Sequence, residues 1–216
     1  MNQDITTLRA FRRQILQYYR AHKRDFPWRR TDNPYHILIS EVMLQQTQAP
    51  RVVAKYNEFI TTFPTIQALA KAPIEKLLRV WQGLGYNRRA LALRKLAQIA
   101  AAEHGGTLPN DYEQLLALPG VGQSTAGAVL AFGYNNPMPF IETNIRRVYL
   151  HFFFPERDQV SDRQLLPLIK ATLDRSQARR WYFALMDYGA MLAHETPINP
   201  NRRSRSYHRQ SRFEGS

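Results

Sequence analysis

Two glutamates stand out by the company they keep. Glu41 lies in ISEVMLQQTQ (39–48), where Ile37, Ile39, Val42, Met43 and Leu44 make a helix apolar nearly all round. A carboxyl group in apolar surroundings holds its proton more tightly than one in water, which suits a general acid. The plain alternative is a Glu on a polar edge or in an ion pair. Glu142 closes the stretch LPGVGQSTAGAVLAFGYNNPMPFIETN (118–144), with Thr143 and Asn144 beside it. Gly120 and Gly122 can take positive φ and let another backbone come close. The helix that opens at Gln123 offers free N–H groups and a dipole to an anion. The expectation is a segment that grips a phosphate backbone and sets Glu142 beside a sugar. The alternative for Glu142 is an acidic residue at a helix N-terminus.

These side chains need a frame, and the periodicity predicts a helical one. Ile5, Leu8, Phe11, Ile15 and Tyr18 mark a basic helix over 4–23, capped by Asp4 or Thr6. Residues 25–33 read as a loop in which Trp28 and Arg29 either meet a base or, for Trp28, fill the core. Helices follow over 34–48, 49–63, 66–70, 74–81 and 87–104, with the GLGY turn (83–86) before the last. Tyr86, Arg88 and Arg89 sit at that turn. Residues 110–117, the Leu118–Gly122 turn and the helix from Gln123 make a helix-hairpin-helix, with Ser124 and Thr125 in its first turn. Further helices cover 142–153, with Arg146 and Arg147 on the exposed side, and 164–173 and 178–193. Asp187 interrupts the apolar face of the last. No strand pattern and no internal repeat is evident. Residues 199–216, NPNRRSRSYHRQSRFEGS, lack helical period and read as a basic arm through Arg202, Arg203 and Arg205, or as a disordered tail.

Charge narrows the partners. The 216 residues carry 30 Lys plus Arg against 17 Asp plus Glu, a net charge of +13. That excess favours a polyanion, nucleic acid before membrane. No cysteine is present, which excludes disulfides, zinc-thiolate sites and iron–sulfur clusters within these residues. No apolar run approaches a membrane span of about 20 residues, and MNQDITTLRAFRRQ lacks the apolar core of a signal peptide. The expected location is the cytoplasm, associated with the nucleoid.

Six separated motifs in order, FPWR (26–29), ISEVMLQQTQ (39–48), WQGLGY (81–86), LPGVGQSTAGA (118–128), ETNIRRV (142–148) and ALMDYGAM (184–191), resemble the helix-hairpin-helix DNA glycosylases. Within that superfamily the chain resembles the catalytic domain of MutY-type adenine mismatch glycosylases. The resemblance implies an all-α fold of two lobes: a helical barrel over about 30–135 and a second lobe from about 1–29 and 136–198, followed by the arm 199–216. It implies a cleft that receives a nucleotide flipped out of duplex DNA, acting as a monomer without a membrane.

Carried over to this sequence, Glu41 matches the acid that protonates the departing purine, and Glu142 the catalytic carboxylate facing the sugar, with Asn144 its neighbour. One protonated and one ionised carboxyl is the division of labour of glycoside hydrolysis. Trp28, Arg29, Ser124 and Asp187 match positions in or near the base pocket. Gln46 and Tyr86 match residues entering the base stack. Gln45, Arg88, Leu118, Gly120, Val121, Gly122, Gln123, Ser124 and Thr125 would contact DNA, and the carbonyls of Leu118 and Gly120 would hold Na+ or K+.

Three departures qualify the match. The four cysteines that bind a [4Fe–4S] cluster in MutY-type enzymes are absent, placing the chain in a clusterless branch. The domain that reads 8-oxoguanine is not in these 216 residues. Glu142 stands where the family has Asp. Ser124, moreover, stands where endonuclease III-like relatives have a catalytic lysine, so hydrolysis without Schiff-base strand cleavage is expected. A non-catalytic binder of distorted DNA and a bifunctional glycosylase/AP lyase are the alternatives.

Overall fold

The computed structural model describes residues 5–207; Asp4, His208 and Phe213 lie outside that range. Among the described residues there are eleven α-helices, two 3-10 turns and no strand. In chain order the helices are α1 (Ile5–His22), α2 (Pro34–Leu44), α3 (Ala49–Thr62), α4 (Ile66–Ala70), α5 (Ile74–Trp81) and α6 (Arg88–Glu103). They continue with α7 (Tyr112–Leu116), α8 (Gln123–Tyr134), α9 (Thr143–Phe153), α10 (Asp162–Thr172) and α11 (Ala178–Glu195). The described residues divide into two compact units, one holding 5–24 and 135–207, the other Asp25–Tyr134. The 25–29 segment thus goes with the helices that follow it, not with α1.

In the unit of α2–α8, α2 is the buried core. Asn33 accepts from the N–H groups of Tyr35 and His36, and Pro34 fills the first helical position, so its start is fixed by local chemistry. Tyr35, Ile37, Leu38, Ile39, Ser40, Val42 and Met43 are then buried. α8 crosses α2 closely: a Cβ on Gly133 would lie 3.1 Å from Pro34 Cα. α2 stops at Leu44, short of the expected Gln48. Gln45 turns extended and Gln46 enters the left-handed region at φ +56°. Residues 27–29, expected as loop, form a 3-10 turn that buries Trp28.

In the other unit, α1 lays Phe11 into a nest of Tyr149, Phe152, Phe153 and Trp181, with ring centroids 5.0–5.9 Å away. Fully burying such a side chain contributes about 1.5–3 kcal/mol. The basic residues of α1 and of the segment just after it are partly paired. Arg12 reaches Asp174 at 3.1 Å and Arg24 reaches Asp187 at 2.6 Å. The start of the expected arm is folded: Pro200–Arg203 is a 3-10 turn, Asn201 is buried, and Val160 bridges Ser204. The backbone ties are Val160 N–H to Arg203 and Arg205 N–H to Val160, both 2.9 Å. Asparagine caps and these backbone bonds give 199–206 a shape that its composition hides.

Candidate active site

The site in the α9 unit is built around Glu142. It is the N-cap of α9, and its Oε1 accepts from Ile145 N–H at 2.8 Å. Its Oε2 accepts from Asn144 Nδ2 at 3.2 Å. The capping alternative is therefore realised, and the cap fixes where the carboxylate points. Behind it, Arg147 Nη1 donates to Asn144 Oδ1 at 2.8 Å and to the Gly189 carbonyl at 2.6 Å, and Nε donates to Asn199 Oδ1 at 3.1 Å. Asn201 Nδ2 donates to the Thr143 carbonyl at 3.0 Å. Arg147, expected on the exposed side, is thus buried, because three acceptors from three segments meet there. Arg146 is the outer partner, gripping Asp162 through two bonds of 2.8 and 2.7 Å.

Burial pushes the Glu142 carboxyl above the ordinary carboxylate range. Hydrogen bonds at Asn144 and Ile145 and the Arg147 and Arg146 charges pull the other way without cancelling that effect. The fold alone therefore makes the expected ionised carboxylate harder to form. A positive centre arriving beside it would favour the charged form.

Gly189 explains how close α11 comes. A Cβ there would lie 2.5 Å from the Asn144 carbonyl oxygen and 2.7 Å from its Cβ. A glycine inside a long helix costs about 1 kcal/mol in propensity, and here it admits the Asn144 backbone. Asp187, on the same helix, is 2% exposed and accepts from Arg24 N–H at 3.0 Å and Arg24 Nε at 2.6 Å, joining the end of α1 to α11.

The remaining candidates lie in the α2–α8 unit. Glu41 is half-buried in the last turns of α2. Gln45 Nε2 reaches Thr125 Oγ1 at 3.5 Å, and Gln46 is exposed. Trp28 is 6% exposed, stacked on Phe26 and edge-on to Tyr56, so its ring is core; Arg29 lies over Phe26. Gly120 takes φ +80°, but Gly122 does not, and a Cβ on Gly122 would meet nothing within 4 Å. The first glycine serves the turn, while the second leaves its outer face open. Leu118 and Val121 are buried, Val121 N–H closing the turn onto the Leu118 carbonyl at 3.2 Å. Gln123 and Ser124 are exposed in the first turn of α8, and Thr125 is buried.

Arg88 is exposed over the Tyr86 ring, whereas Arg89, singled out only as part of a basic helix start, is buried. Of the arm residues, Arg202 and Arg205 are exposed and Arg203 half-buried. Sequence reasoning missed Arg89, Arg147, Gly189, Asn199 and Asn201 as organising residues. The available signals were a glycine inside a helix and Asn-Pro-Asn ahead of the arginines.

Among the described residues no group of three His, Asp or Glu is arranged to hold a metal. Without cysteine, the residues present do not fit a thiolate-held cluster. No described helix is long and apolar enough to cross a membrane.

Comparison with known proteins adds to this geometry. The chain is 38% identical over 180 residues to an adenine DNA glycosylase of Mycobacterium tuberculosis (strain ATCC 25618 / H37Rv), covering 82% of this chain and 59% of that protein. It is 35% identical over 189 residues to an adenine DNA glycosylase of Buchnera aphidicola subsp. Baizongia pistaciae, covering 87% and 54%. The chain therefore spans little more than half the length of these relatives. Its fold superposes on a thermostable thymine-DNA glycosylase with a TM-score of 0.79 at 26% identity, over 90% of this chain and 91% of that one. A structure of endonuclease III trapped covalently on DNA shares the fold, with a TM-score of 0.75 at 19% identity and coverage of 90% and 91%. Residues 39–169, from α2 into α10, match the HhH-GPD superfamily of base excision DNA repair proteins, and the chain belongs to that superfamily.

Proposed function

We propose that this chain is a monofunctional DNA glycosylase that hydrolyses the N-glycosidic bond of a mispaired or damaged purine, adenine first, in duplex DNA. The observation that carries the reading is Glu142: a carboxylate fixed at a helix N-terminus by Ile145 and Asn144 and backed by a buried arginine. Names of relatives 35–38% identical to this chain, all adenine DNA glycosylases, supply the base. In this reading Glu41 gives its proton to the departing base, and the electron pair of the C1′–N bond leaves with that base. Glu142 stabilises the cationic sugar, and water adds at C1′ and releases a proton to solvent, leaving an abasic site. Ser124 offers a hydroxyl and no amine, so no Schiff base forms there.

Trp28, Arg29 and Asp187 keep the base-pocket roles that the resemblance implies for each, and Gln45, Gln46, Tyr86 and Arg88 enter or flank the stack. The hairpin from Leu118 to Thr125 grips a phosphate through backbone N–H groups, with Na+ or K+ at its carbonyls. Arg202, Arg203 and Arg205 add charge toward the backbone. The protein works as a monomer in the cytoplasm, on a base flipped from the duplex.

The test is base release from duplexes carrying A:8-oxoguanine, A:G, hypoxanthine, uracil and thymine mismatches. The expected result is adenine release with an intact strand. Folded protein that releases no base at high concentration overturns the proposal, and a fully active Glu41→Gln variant overturns the role of Glu41. Thymine release is the second reading, favoured by the 26% identity to a thymine-DNA glycosylase across 90% of the chain.

A further inference from the structure

Arg89 is the buried cation that the proposed chemistry leaves unused. It is 9% exposed, and its guanidinium meets main-chain carbonyls and aromatic faces. The two terminal nitrogens divide the work. Nη1 donates to the end of α2: Val42 at 2.8 Å, Met43 at 3.4 Å and Gln45 at 2.6 Å. Nη2 donates to the 83–86 turn: Leu84 at 2.8 Å and Gly85 at 3.2 Å.

Immediately after each set of carbonyls comes a non-glycine residue in the left-handed region, Gln46 at φ +56° and Tyr86 at φ +49°. Such residues persist only where the surroundings over-determine them. The guanidinium also lies over the rings of Trp81 and Tyr86, 5.5 and 5.4 Å from their centroids, and Trp81 Nε1 donates to the same Gly85 carbonyl at 3.0 Å. One rigid fork therefore holds two strained backbone segments that are some 40 residues apart in sequence.

We propose that Arg89 is a positioning residue: it locks the Gln46 and Tyr86 segments to each other, so that both meet the duplex as one rigid wedge when a base is displaced. This rests on the reading that those two side chains enter the base stack. A lysine cannot replace the fork, since one ammonium cannot span both sets of carbonyls in a plane. Loss of the fork frees both segments together, and a misplacement near 1 Å at such a site costs on the order of 100-fold in rate.

The experiment uses Arg89→Met and Arg89→Lys in the full chain. Amide hydrogen exchange without DNA reads the lock. Faster exchange in both 43–48 and 83–88, with the peptides of α4 and of α6 from residue 92 on unchanged, is expected for Arg89→Met, and a weaker version of the same pattern for Arg89→Lys. Exchange that rises in one segment only, or throughout the unit, overturns the lock. Single-turnover base release is then compared between mispaired adenine in a duplex and adenine in an unpaired loop. The expected result is a loss of about 100-fold on the duplex and under tenfold on the loop. Equal losses on both overturn the positioning role in displacement. Wild-type protein that neither binds DNA nor releases base defeats the glycosylase reading and with it the use of the wedge, while the exchange result still decides the lock. Where Arg89→Met does not fold, Arg89→Lys carries both measurements.

Discussion

Two of the six Arg-Arg pairs in the sequence look alike and differ in what they do. Arg88-Arg89 opens α6, and Arg146-Arg147 lies at the fourth and fifth positions of α9. In each, the first arginine is the more open and the second is buried: Arg88 is exposed and Arg146 half-buried. The outward members already differ, because Arg146 is held by Asp162 at 2.7 Å whereas Arg88 lies over a tyrosine ring. The buried members differ more. Arg89 donates to main-chain carbonyls and so fixes backbone shape. Arg147 also donates to the side chain of Asn144, which holds Glu142, and its charge acts on that carboxyl. A buried guanidinium serves as a geometric staple where it meets carbonyls alone. Where it stands behind a carboxyl group, its charge also acts on the protonation of that group.

The comparison is tested first at the carboxyl itself. Glu142→Gln is expected to lower single-turnover base release on the order of 1,000-fold, as loss of a preorganised charge does. The same variant should unfold at a higher temperature at pH 7–8. The sign follows from the raised folded-state pKa. The native fold disfavours the ionised form, so above the folded pKa the wild type carries a penalty that glutamine lacks. Below the unfolded value of about 4 both states are protonated and the penalty vanishes. Thermal unfolding across pH 4–8 reads this, and a gain that does not shrink on acidification contradicts it.

Gly189→Ala comes next. Its Cβ would overlap the Asn144 backbone, and overpacking of this kind costs about 1–3 kcal/mol. Activity should fall by about 100-fold with the displaced Asn144, measured beside chemical denaturation.

Arg147→Met separates the two buried arginines directly. Arg147 lowers the Glu142 pKa, so its loss should move the acid limb of the pH–rate profile to higher pH. Arg89→Met should leave that limb in place. An unmoved limb in Arg147→Met would reduce Arg147 to a second staple.

The smallest effects belong to the outer arginines. Arg88→Ala should reduce the slope of log affinity against log salt by about 1. Arg146→Ala should leave the slope alone and cost no more than about 1 kcal/mol of stability, the range of a partly exposed ion pair.

Much of the frame was legible in the residues. α2 begins where Asn33-Pro34 dictates and is buried because its apolar residues cover every side. The hairpin turn was readable because only glycine takes φ +80° there comfortably, although a single glycine, Gly120, needs it. Less legible were the residues whose role depends on partners remote in sequence. Asn199 meets Arg147 across 52 positions, and Arg89 meets Val42 across 47. No local pattern announces such pairs, and an arginine beside another arginine reads as solvated surface. The 199–206 segment misled for the same reason, since its caps and backbone bonds to Val160 form only against a folded α9 unit.

By itself, the sequence determined that the chain is helical, basic and without cysteine, and it carried the ordered motifs that identify the superfamily. Those properties follow from side-chain periodicity, charge and turn chemistry, which act over a few residues. Only the tertiary structure decided which arginines are buried, that Glu142 is a cap held by Asn144, and that its carboxyl resists ionisation. Burial and hydrogen-bond partnership come from segments brought together by folding, and the energy of a charge depends on how much water they leave around it.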